Sequence, residues 1–252
     1  EVDPELGLLL AAEAARLSPT SRVADTLRRA LLVSHLRAVL PERRVTTASF
    51  SPDGARVVVG TAGGSVHVYA TGARTRVTAF QADGAVAGAS FAPDGSILLT
   101  TETGHPARTW DAEDGTALRS FGRAPTAASF SPDGSLVLTV EPDGARTWSA
   151  ADGSEVTAFR QPETVRQASF GPGGRLVATV AGEIARVFDA RTGRRVAAVD
   201  QEGEITSATI TPDGRQLVTT GVNKTARLWM LHGGGRLVRE LSGHNGELTA
   251  GA

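Results

Sequence analysis

The sequence predicts an all-β protein built from five copies of a four-stranded sheet, and two periodic signals support this prediction. The first is a turn sequence, Phe-x-Pro-Asp-Gly in its fullest form, whose prolines are spaced by 41, 39, 40 and 40 residues. These prolines are Pro52, Pro93, Pro132, Pro172 and Pro212. The second is an aromatic residue 16 or 17 positions after each proline, namely Tyr69, Trp110, Trp148, Phe188 and Trp229. Two separate signals with one period indicate an internal repeat.

Each repeat has the pattern of four strands joined by short turns. In the second repeat, Ala89-Ser90-Phe91 ends one strand and Pro93-Asp94-Gly95 forms a turn, in which proline presets φ and glycine accepts a positive φ. The apolar run 97–100 predicts the second strand, and two further strands follow around Trp110 and over 117–121. Four strands in about 40 residues, with an aromatic residue and turn glycines at fixed positions, are typical of one blade of a β-propeller.

These repeats resemble the WD-repeat (Trp-Asp repeat) family. Trp110-Asp111 matches the dipeptide that names the family, and Asn-Lys-Thr-Ala-Arg-Leu-Trp at 223–229 is similar to its Asp-Lys-Thr-x-Arg-Leu-Trp run. Gly243-His244 matches the Gly-His that opens a repeat. The resemblance covers residues 45–252 and implies a WD-repeat β-propeller with five four-stranded repeats and the start of a sixth. We expect this propeller to be incomplete at its C-terminus and to belong to a longer polypeptide.

The resemblance also implies a buried hydrogen-bond network in each repeat, formed by a histidine, a hydroxyl of the second strand and the tryptophan of the third. The hydroxyl is retained at Thr100, Thr139, Thr179 and Thr219. The histidine is present at His244, but inner repeats have Ala82, Gln161 and Gln201 there. Most repeats are therefore expected to lack the complete network and to depend on apolar packing between neighbouring sheets.

Residues 1–44 predict a helical lead-in rather than a further repeat. Asp3-Pro4-Glu5 is a typical helix start, and we expect an α-helical hairpin with helices at about 4–17 and 21–39. This pair, followed by a propeller, resembles the junction in bacterial STAND-class signalling ATPases (signal transduction ATPases with numerous domains). The resemblance implies that the propeller is a sensor or partner-binding end. A bacterial Ser/Thr kinase with a propeller tail is the alternative context.

Composition narrows the classes of function. The chain has no cysteine, so disulfides and thiolate metal sites are excluded, and a formal net charge of −1 does not favour nucleic acid. The lysine that a phosphate-binding Gly-x-x-x-x-Gly-Lys loop requires is missing, because the only lysine is Lys224. We expect no cofactor, no metal, no nucleic acid and no membrane, and a cytoplasmic location.

One face of the propeller is a candidate for partner binding. Loops between the second and third strands, and those between repeats, are expected to lie at the same end of the sheets. The acids placed there are Asp83, Glu102, Glu141, Asp143, Glu163, Glu183, Glu202 and Glu204. Arg123 and Lys224 are the basic residues set against them. The sequence therefore predicts a net-negative face that attracts a basic protein or peptide, with ordinary loop solvation as the alternative.

Three functions remain open. The first is a non-enzymatic protein-interaction or sensor propeller, in which any NTPase or kinase activity lies in another module. The second is a propeller-fold lyase or hydrolase with a site in the central channel. Alanine at 48, 89, 128 and 168, where such a site would place titratable groups, makes this weaker. The third is a structural fragment that self-associates through open propeller edges.

Overall fold

The computed structural model describes residues 40–73, 75–241 and 243. These residues contain twenty β-strands and no helix, and all the strands lie within the unit Arg43–Ala252. The predicted helices at 4–17 and 21–39 and the predicted repeat position His244 lie outside the described residues. The predicted domain boundary after residue 44 stays a prediction.

The strands form five antiparallel sheets, and in each sheet the four strands lie side by side in chain order. Sheet 1 contains β1 (Val45–Phe50), β2 (Arg56–Thr61), β3 (Ser65–Ala70) and β4 (Arg76–Gln81). Sheet 2 contains β5 (Val86–Phe91), β6 (Ile97–Glu102), β7 (Ala107–Asp111) and β8 (Ala117–Phe121). Sheet 3 contains β9 (Ala127–Phe130), β10 (Leu136–Glu141), β11 (Gly144–Ser149) and β12 (Glu155–Arg160). Sheet 4 contains β13 (Gln167–Phe170), β14 (Leu176–Ala181), β15 (Ile184–Asp189) and β16 (Arg195–Asp200). Sheet 5 contains β17 (Ile205–Ile210), β18 (Gln216–Gly221), β19 (Ala226–Met230) and β20 (Arg236–Leu241). The prediction of five four-stranded repeats is confirmed.

The Pro-Asp-Gly turn joins the first two strands of a sheet through hydrogen bonds of its aspartate. In sheet 1, Asp53 Oδ1 accepts the Ser51 hydroxyl at 2.6 Å and the Ala55 N–H at 3.0 Å. Gly54 has a φ of 70°, a left-handed conformation that glycine adopts without a steric penalty. The turn is therefore determined by local sequence, which explains why it recurs wherever the sequence recurs.

Pairs of aromatic side chains connect sheets 1 to 4, and Val199 takes the place of one partner between sheets 4 and 5. Phe80 of sheet 1 stacks on Trp110 of sheet 2 with ring centroids 4.5 Å apart, and Phe159 of sheet 3 lies 5.2 Å from Phe188 of sheet 4. Each pairing between a third and a fourth strand has a register shift at its aromatic residue, as at Thr109/Trp110. Such a bulge changes the direction of a side chain, and here it directs the aromatic ring into the space between two sheets.

The core lies between successive sheets and is centred on their second strands. All six residues of β10 are buried, and Val58, Leu98 and Leu217 have no exposed surface. Complete burial of a Val or Leu side chain contributes about 1.5–3 kcal/mol. Each sheet thus covers apolar surface of its neighbour, as in other stacked repeats.

The two outer sheets leave apolar side chains exposed. Phe50 of sheet 1 is 67% exposed, whereas Phe91, at the same position of sheet 2, is 8% exposed. In sheet 5, all residues of β20 are exposed, including Leu237 and Leu241. Phe91 is buried because sheet 1 packs on its strand, and none of the described strands covers Phe50 in that way.

Candidate functional site

The candidate site is the end of the sheets that we name the connector face. It consists of the loops between second and third strands (62–64, 103–106, 142–143, 182–183 and 222–225) and the sheet-to-sheet connectors (82–85, 122–126, 161–166 and 201–204). Antiparallel order within each sheet places both sets at the same end, as the sequence predicts. Hydrogen bonds join the loops to the connectors, such as that from the Thr103 N–H to the Ala85 carbonyl at 2.9 Å.

The third strand of every sheet carries a basic residue two positions before the aromatic position, and in sheets 2 to 5 its side chain reaches this face. These residues are His67, Arg108, Arg146, Arg186 and Arg227. The four arginine side chains are only 11–23% exposed, so they are held by packing. The recurring sequence Ala-Arg-x-aromatic could have identified them, but the sequence prediction considered only loop residues.

The arginines bind the predicted acidic residues. Arg108 forms an ion pair with Asp83 at 2.5 Å, and Arg186 one with Glu163 at 2.9 Å. These pairs cross from one connector to the third strand of the following sheet. In both cases the hydrogen bond from the arginine lowers the pKa of the carboxyl group. Both carboxylates remain partly exposed, at 52% and 42% of the side chain, so a partner can reach them.

Sheets 3 and 5 continue the arrangement. Arg146 binds Asp143 at 2.7 Å and also pairs with Glu141, and its hydrogen bond lowers the pKa of Asp143. Arg227 lies 3.5 Å from Glu202 and 2.8 Å from Glu240, a residue outside the predicted set.

Two further predicted acids complete the face. Glu204 pairs with Arg166 across the connectors of sheets 4 and 5. Glu183 is exposed, and no ion pair joins it to another described residue.

Glu102 and Glu141 do not lie on the accessible surface, which corrects their assignment to a solvent-facing set. Glu102 has no exposed surface, and its carboxylate accepts the N–H groups of Asp83 and Gly84 at 2.9 and 3.2 Å. The Thr100 hydroxyl donates to the same carboxylate at 3.1 Å. Glu102 therefore holds a connector in place, because a buried carboxylate requires donors of this kind.

Glu141 occupies the equivalent position in sheet 3, where the segment between the phenylalanines of consecutive sheets is shorter. Phe130 follows Phe121 by nine positions, whereas Phe91 follows Phe80 by eleven. Glu141 is 8% exposed, and its Oε1 has no hydrogen-bond partner among the described residues. The N–H groups that bind Glu102 belong to Asp83 and Gly84, which lie in the segment that is two residues longer before sheet 2.

The charge of the face also differs from the prediction. Against the eight predicted acids stand seven basic side chains, because five arginines join Arg123 and Lys224. These five are Arg108, Arg146, Arg166, Arg186 and Arg227. The face is therefore less negative than a count of eight acids against two basic residues predicts, although Glu240 adds a further acid to it. The prediction missed these arginines because four of them lie in strands and Arg166 was left out of the loop count.

Beneath the face, the second-strand threonines bind different partners in different sheets. Thr100, Thr139 and Thr219 each accept the indole N–H of the tryptophan in the third strand, at 2.8 Å. In sheet 4 the aromatic is Phe188, which has no such donor, and Thr179 instead accepts the amide of Gln161 at 2.7 Å. The network is therefore partly retained, with Glu102 and Gln161 binding the threonine in place of histidine.

The described part of the chain has neither a candidate metal-binding cluster nor a membrane-spanning helix. Among residues 40–73, 75–241 and 243, no group of three or more His, Asp or Glu side chains is placed to hold a metal ion. No described helix is long and apolar enough to cross a membrane.

Comparison with known proteins identifies one family. The "WD domain, G-beta repeat" family matches the chain at residues 34–70 and 195–230. The second match runs from the start of β16 to the end of β19, so one sequence repeat joins the last strand of sheet 4 to three strands of sheet 5. No similar curated protein was found. The two family matches and the five repeated four-stranded antiparallel sheets together support a WD-repeat β-propeller.

Proposed function

We propose that this chain is a non-catalytic interaction module that binds a protein partner on the connector face. The observation that carries the proposal is the row of half-buried arginines, which hold accessible carboxylates such as Asp83 and Glu163 in defined positions. A surface that is ordered before binding loses little conformational entropy when a partner docks. WD40 repeats generally mediate protein–protein interaction, which supports the same function.

The partner recognised by this face has a mixed polar surface. Because acids and arginines alternate across it, long-range attraction of a basic partner is weak, and specificity comes from matching individual donors and acceptors. We therefore expect the affinity of the partner to fall by less than about tenfold between about 0.05 and 0.5 M NaCl. The reason is that most acids of the face are already largely neutralised by the arginines with which they pair. A strongly basic partner would show a much steeper dependence.

The test replaces three exposed acids of the face, Asp83→Lys, Glu163→Lys and Glu202→Lys, in one variant. Wild type and variant are used to capture proteins from extracts of the cells that make the chain, and captured proteins are quantified by mass spectrometry. A captured protein is then purified and titrated against both forms by calorimetry. We expect at least about tenfold weaker binding to the variant, because each reversed charge meets an arginine and loses an acceptor.

The matched control carries three reversals at the opposite end of the sheets, Glu113→Lys, Asp114→Lys and Asp152→Lys. It changes the net charge by the same amount and is expected to bind the partner like the wild type. Equal binding to the face variant, or equal loss in the control, would contradict the proposed face. Circular dichroism of all three forms checks that they are folded.

Self-association is a second candidate, favoured by the exposed apolar side chains of sheets 1 and 5. Phe50 is 67% exposed and Leu241 46% exposed, at strand positions whose counterparts are covered by another sheet. Exposed strand edges and apolar faces favour pairing with a second copy. Sedimentation velocity should then give a concentration-dependent dimer for the wild type and a monomer for Phe50→Ser. A monomer for both forms would exclude this candidate.

We also propose that the chain is the sensor part of a larger bacterial signalling protein of the STAND class, working in the cytoplasm. The support is the sequence of residues 3–14, which resembles the helical junction of that class. The gene sequence that surrounds the chain tests this, because the proposal predicts that it encodes a nucleotide-binding module before Glu1. A kinase domain before Glu1 would contradict it.

A further inference from the structure

The face opposite the connectors contains a cleft between sheets 4 and 5. It has a volume of about 560 Å³ and lies beside the turn Gly171-Pro172-Gly173-Gly174, which joins β13 to β14. The basic side chains that line it are Arg175, Arg194, Arg215 and His232. Two acids, Asp189 and Asp213, also line it.

The cleft exists because the turns of sheets 4 and 5 are not in contact. At the earlier junctions the turn glycine of one sheet lies beside the turn proline of the preceding sheet. A Cβ placed on Gly134 or Gly174 would be 3.4 Å from the Cδ of Pro93 or Pro132. A Cβ on Gly214, the equivalent residue of sheet 5, would have no atom within 4 Å. The last pair of turns is therefore splayed apart.

The turn of sheet 4 also lacks the carboxylate found in the other four turns. Asp53, Asp94, Asp133 and Asp213 each accept the N–H of the residue two positions later, at 3.0–3.1 Å. Gly173 stands at this position in sheet 4, so the Arg175 N–H has no such acceptor.

A second acceptor is missing from the same turn. In sheets 1, 3 and 5 the hydroxyl of Ser51, Ser131 or Thr211 accepts the N–H of the first residue of the second strand, at 2.8–3.0 Å. Gly171 stands at this position in sheet 4, so the Leu176 N–H lacks that acceptor as well. Of the five turns, all of which are described, only this one lacks both side chains.

The charges around the turn favour an anion. Arg175 is 82% exposed and lies 3.6 Å from Asp189, whose Oδ1 accepts the N–H groups of Arg191 and Thr192 in its own turn. Asp213 likewise accepts the Thr211 hydroxyl and the Arg215 N–H in its own turn. Three arginines thus line the cleft beside a turn in which two backbone N–H groups lack the side-chain acceptors of the other turns.

We propose that this cleft binds one oxyanion of an acidic peptide, a side-chain carboxylate or a phosphate, in place of the missing turn carboxylate. The N–H groups of Arg175 and Leu176 hold its oxygens, and Arg175, Arg194 and Arg215 supply the opposite charge. Charge-assisted hydrogen bonds from backbone and guanidinium donors are the usual means of binding such groups. The site lies at the opposite end of the sheets from the connector face, so it is independent of the partner proposed there.

The experiment uses the whole ¹⁵N-labelled chain, titrated separately with acetate and with inorganic phosphate. We expect saturable shifts of the Arg175 and Leu176 amide signals, and the probe that saturates at lower concentration identifies carboxylate or phosphate as the preferred group. Hexaglutamate and a phosphoserine peptide are then compared with a hexaglutamine peptide, which should not bind.

The decisive variant is Gly173→Asp, which supplies the missing carboxylate from the chain itself. A Cβ at Gly173 meets no atom within 4 Å, so the substitution is tolerated, and the restored turn should be at least as stable as the wild type. We expect binding of acetate or phosphate to weaken by at least about tenfold, because the internal carboxylate occupies the same donors. Gly173→Ala adds a side chain without charge and should bind like the wild type.

Two arginine variants separate this site from general charge effects. Arg215→Ala should weaken binding, whereas Arg123→Ala, on the connector face, should leave it unchanged. The proposal is overturned if neither anion shifts the two amide signals saturably. It is also overturned if Gly173→Asp binds like the wild type, or if Arg123→Ala weakens binding as much as Arg215→Ala.

Discussion

At the scale of single residues, the threonine of the second strand is paired with whichever donor lies beside it. The threonine of the second strand accepts an indole N–H where the third strand has tryptophan, and a glutamine amide where it has Phe188. In sheet 1 the third-strand aromatic is Tyr69 and the second-strand residue is Val59, which has no hydroxyl. The second-strand residue and the third-strand aromatic therefore vary together, because a buried polar group without a hydrogen-bond partner lowers the free energy of unfolding.

This matching predicts the effect of Thr219→Val, which keeps the shape of the side chain but removes the acceptor of the Trp229 N–H. Thr219 has no exposed surface, so we expect a loss of about 1–3 kcal/mol in the free energy of unfolding. In a Trp229→Phe background, which has no N–H to satisfy, the same substitution should cost about 1 kcal/mol less. Urea unfolding of the four forms measures this coupling, and strictly additive effects would show that the hydrogen bond contributes nothing.

A second prediction at this scale concerns acid stability. Asp152 accepts the N–H and the hydroxyl of Ser154, and these hydrogen bonds lower its pKa from 3.8 to about 2. A pKa that is lower in the folded state contributes stability above the unfolded value, and this contribution is lost as the pH falls from about 4 to about 2. Melting temperatures should therefore decline through this window. Asp152→Asn should melt with a shallower decline there, and an identical profile would contradict the assignment.

At the scale of elements, the turn between the third and fourth strands of one sheet rests on the outer strand of the preceding sheet. A Cβ on Gly115 would lie 2.7 Å from Cδ1 of Phe80, and one on Gly193 would lie 2.5 Å from Oγ1 of Thr157. These glycines are therefore needed for close approach as well as for a positive φ. Each turn is a contact between sheets and not only a connection within one.

The contact at Gly115 predicts that its replacement by alanine costs more free energy of unfolding than the same replacement at Gly54. Gly115 and Gly54 have φ angles of 78° and 70°, but a Cβ on Gly54 meets no atom within 4 Å. Gly54→Ala should cost about 1–2 kcal/mol from the backbone conformation alone. Gly115→Ala should cost about 1–3 kcal/mol more, because Phe80 must move away from Trp110. Chemical denaturation measures both, and equal costs would mean that the turn does not press on the preceding sheet.

At the scale of the whole molecule, stability arises where successive sheets cover each other. The apolar clusters combine residues of neighbouring sheets, such as Val199 of sheet 4 with Trp229 of sheet 5. A single sheet of this kind would leave both faces in water, so the sheets depend on one another for their burial.

Alanine substitution at one repeat position is therefore expected to lower the free energy of unfolding by different amounts in different sheets. Phe91 is 8% exposed between sheets, and Phe91→Ala should destabilise the chain by about 3–5 kcal/mol. Phe50, its counterpart in sheet 1, is 67% exposed, and Phe50→Ala should change the free energy of unfolding by less than about 1 kcal/mol. Thermal and urea unfolding at low protein concentration compare the two. A large loss for Phe50→Ala would mean that residues outside the described range cover that face.

The sequence by itself determined the number of described sheets, the order of their strands and the position of the aromatic residues between them. These properties depend on short segments: a Pro-Asp-Gly turn closes through hydrogen bonds within five residues, and its repetition at a fixed interval repeats the sheet. Antiparallel order then places all connectors at one end, which made the candidate face predictable as a location.

Only the tertiary structure decided which charges meet on that face. Arg108 and Asp83 are 25 residues apart in the chain, and Arg186 and Glu163 are 23 apart, so no local pattern pairs them. A strand arginine reaches a connector because the following sheet stacks on the preceding one, and the same stacking buries Glu102 beneath Asp83 and Gly84. The burial of Glu102 and the pairing of strand arginines with connector acids depend on the distance between sheets, which is a property of the three-dimensional structure. For this reason a count of loop residues overestimated the negative charge of the face.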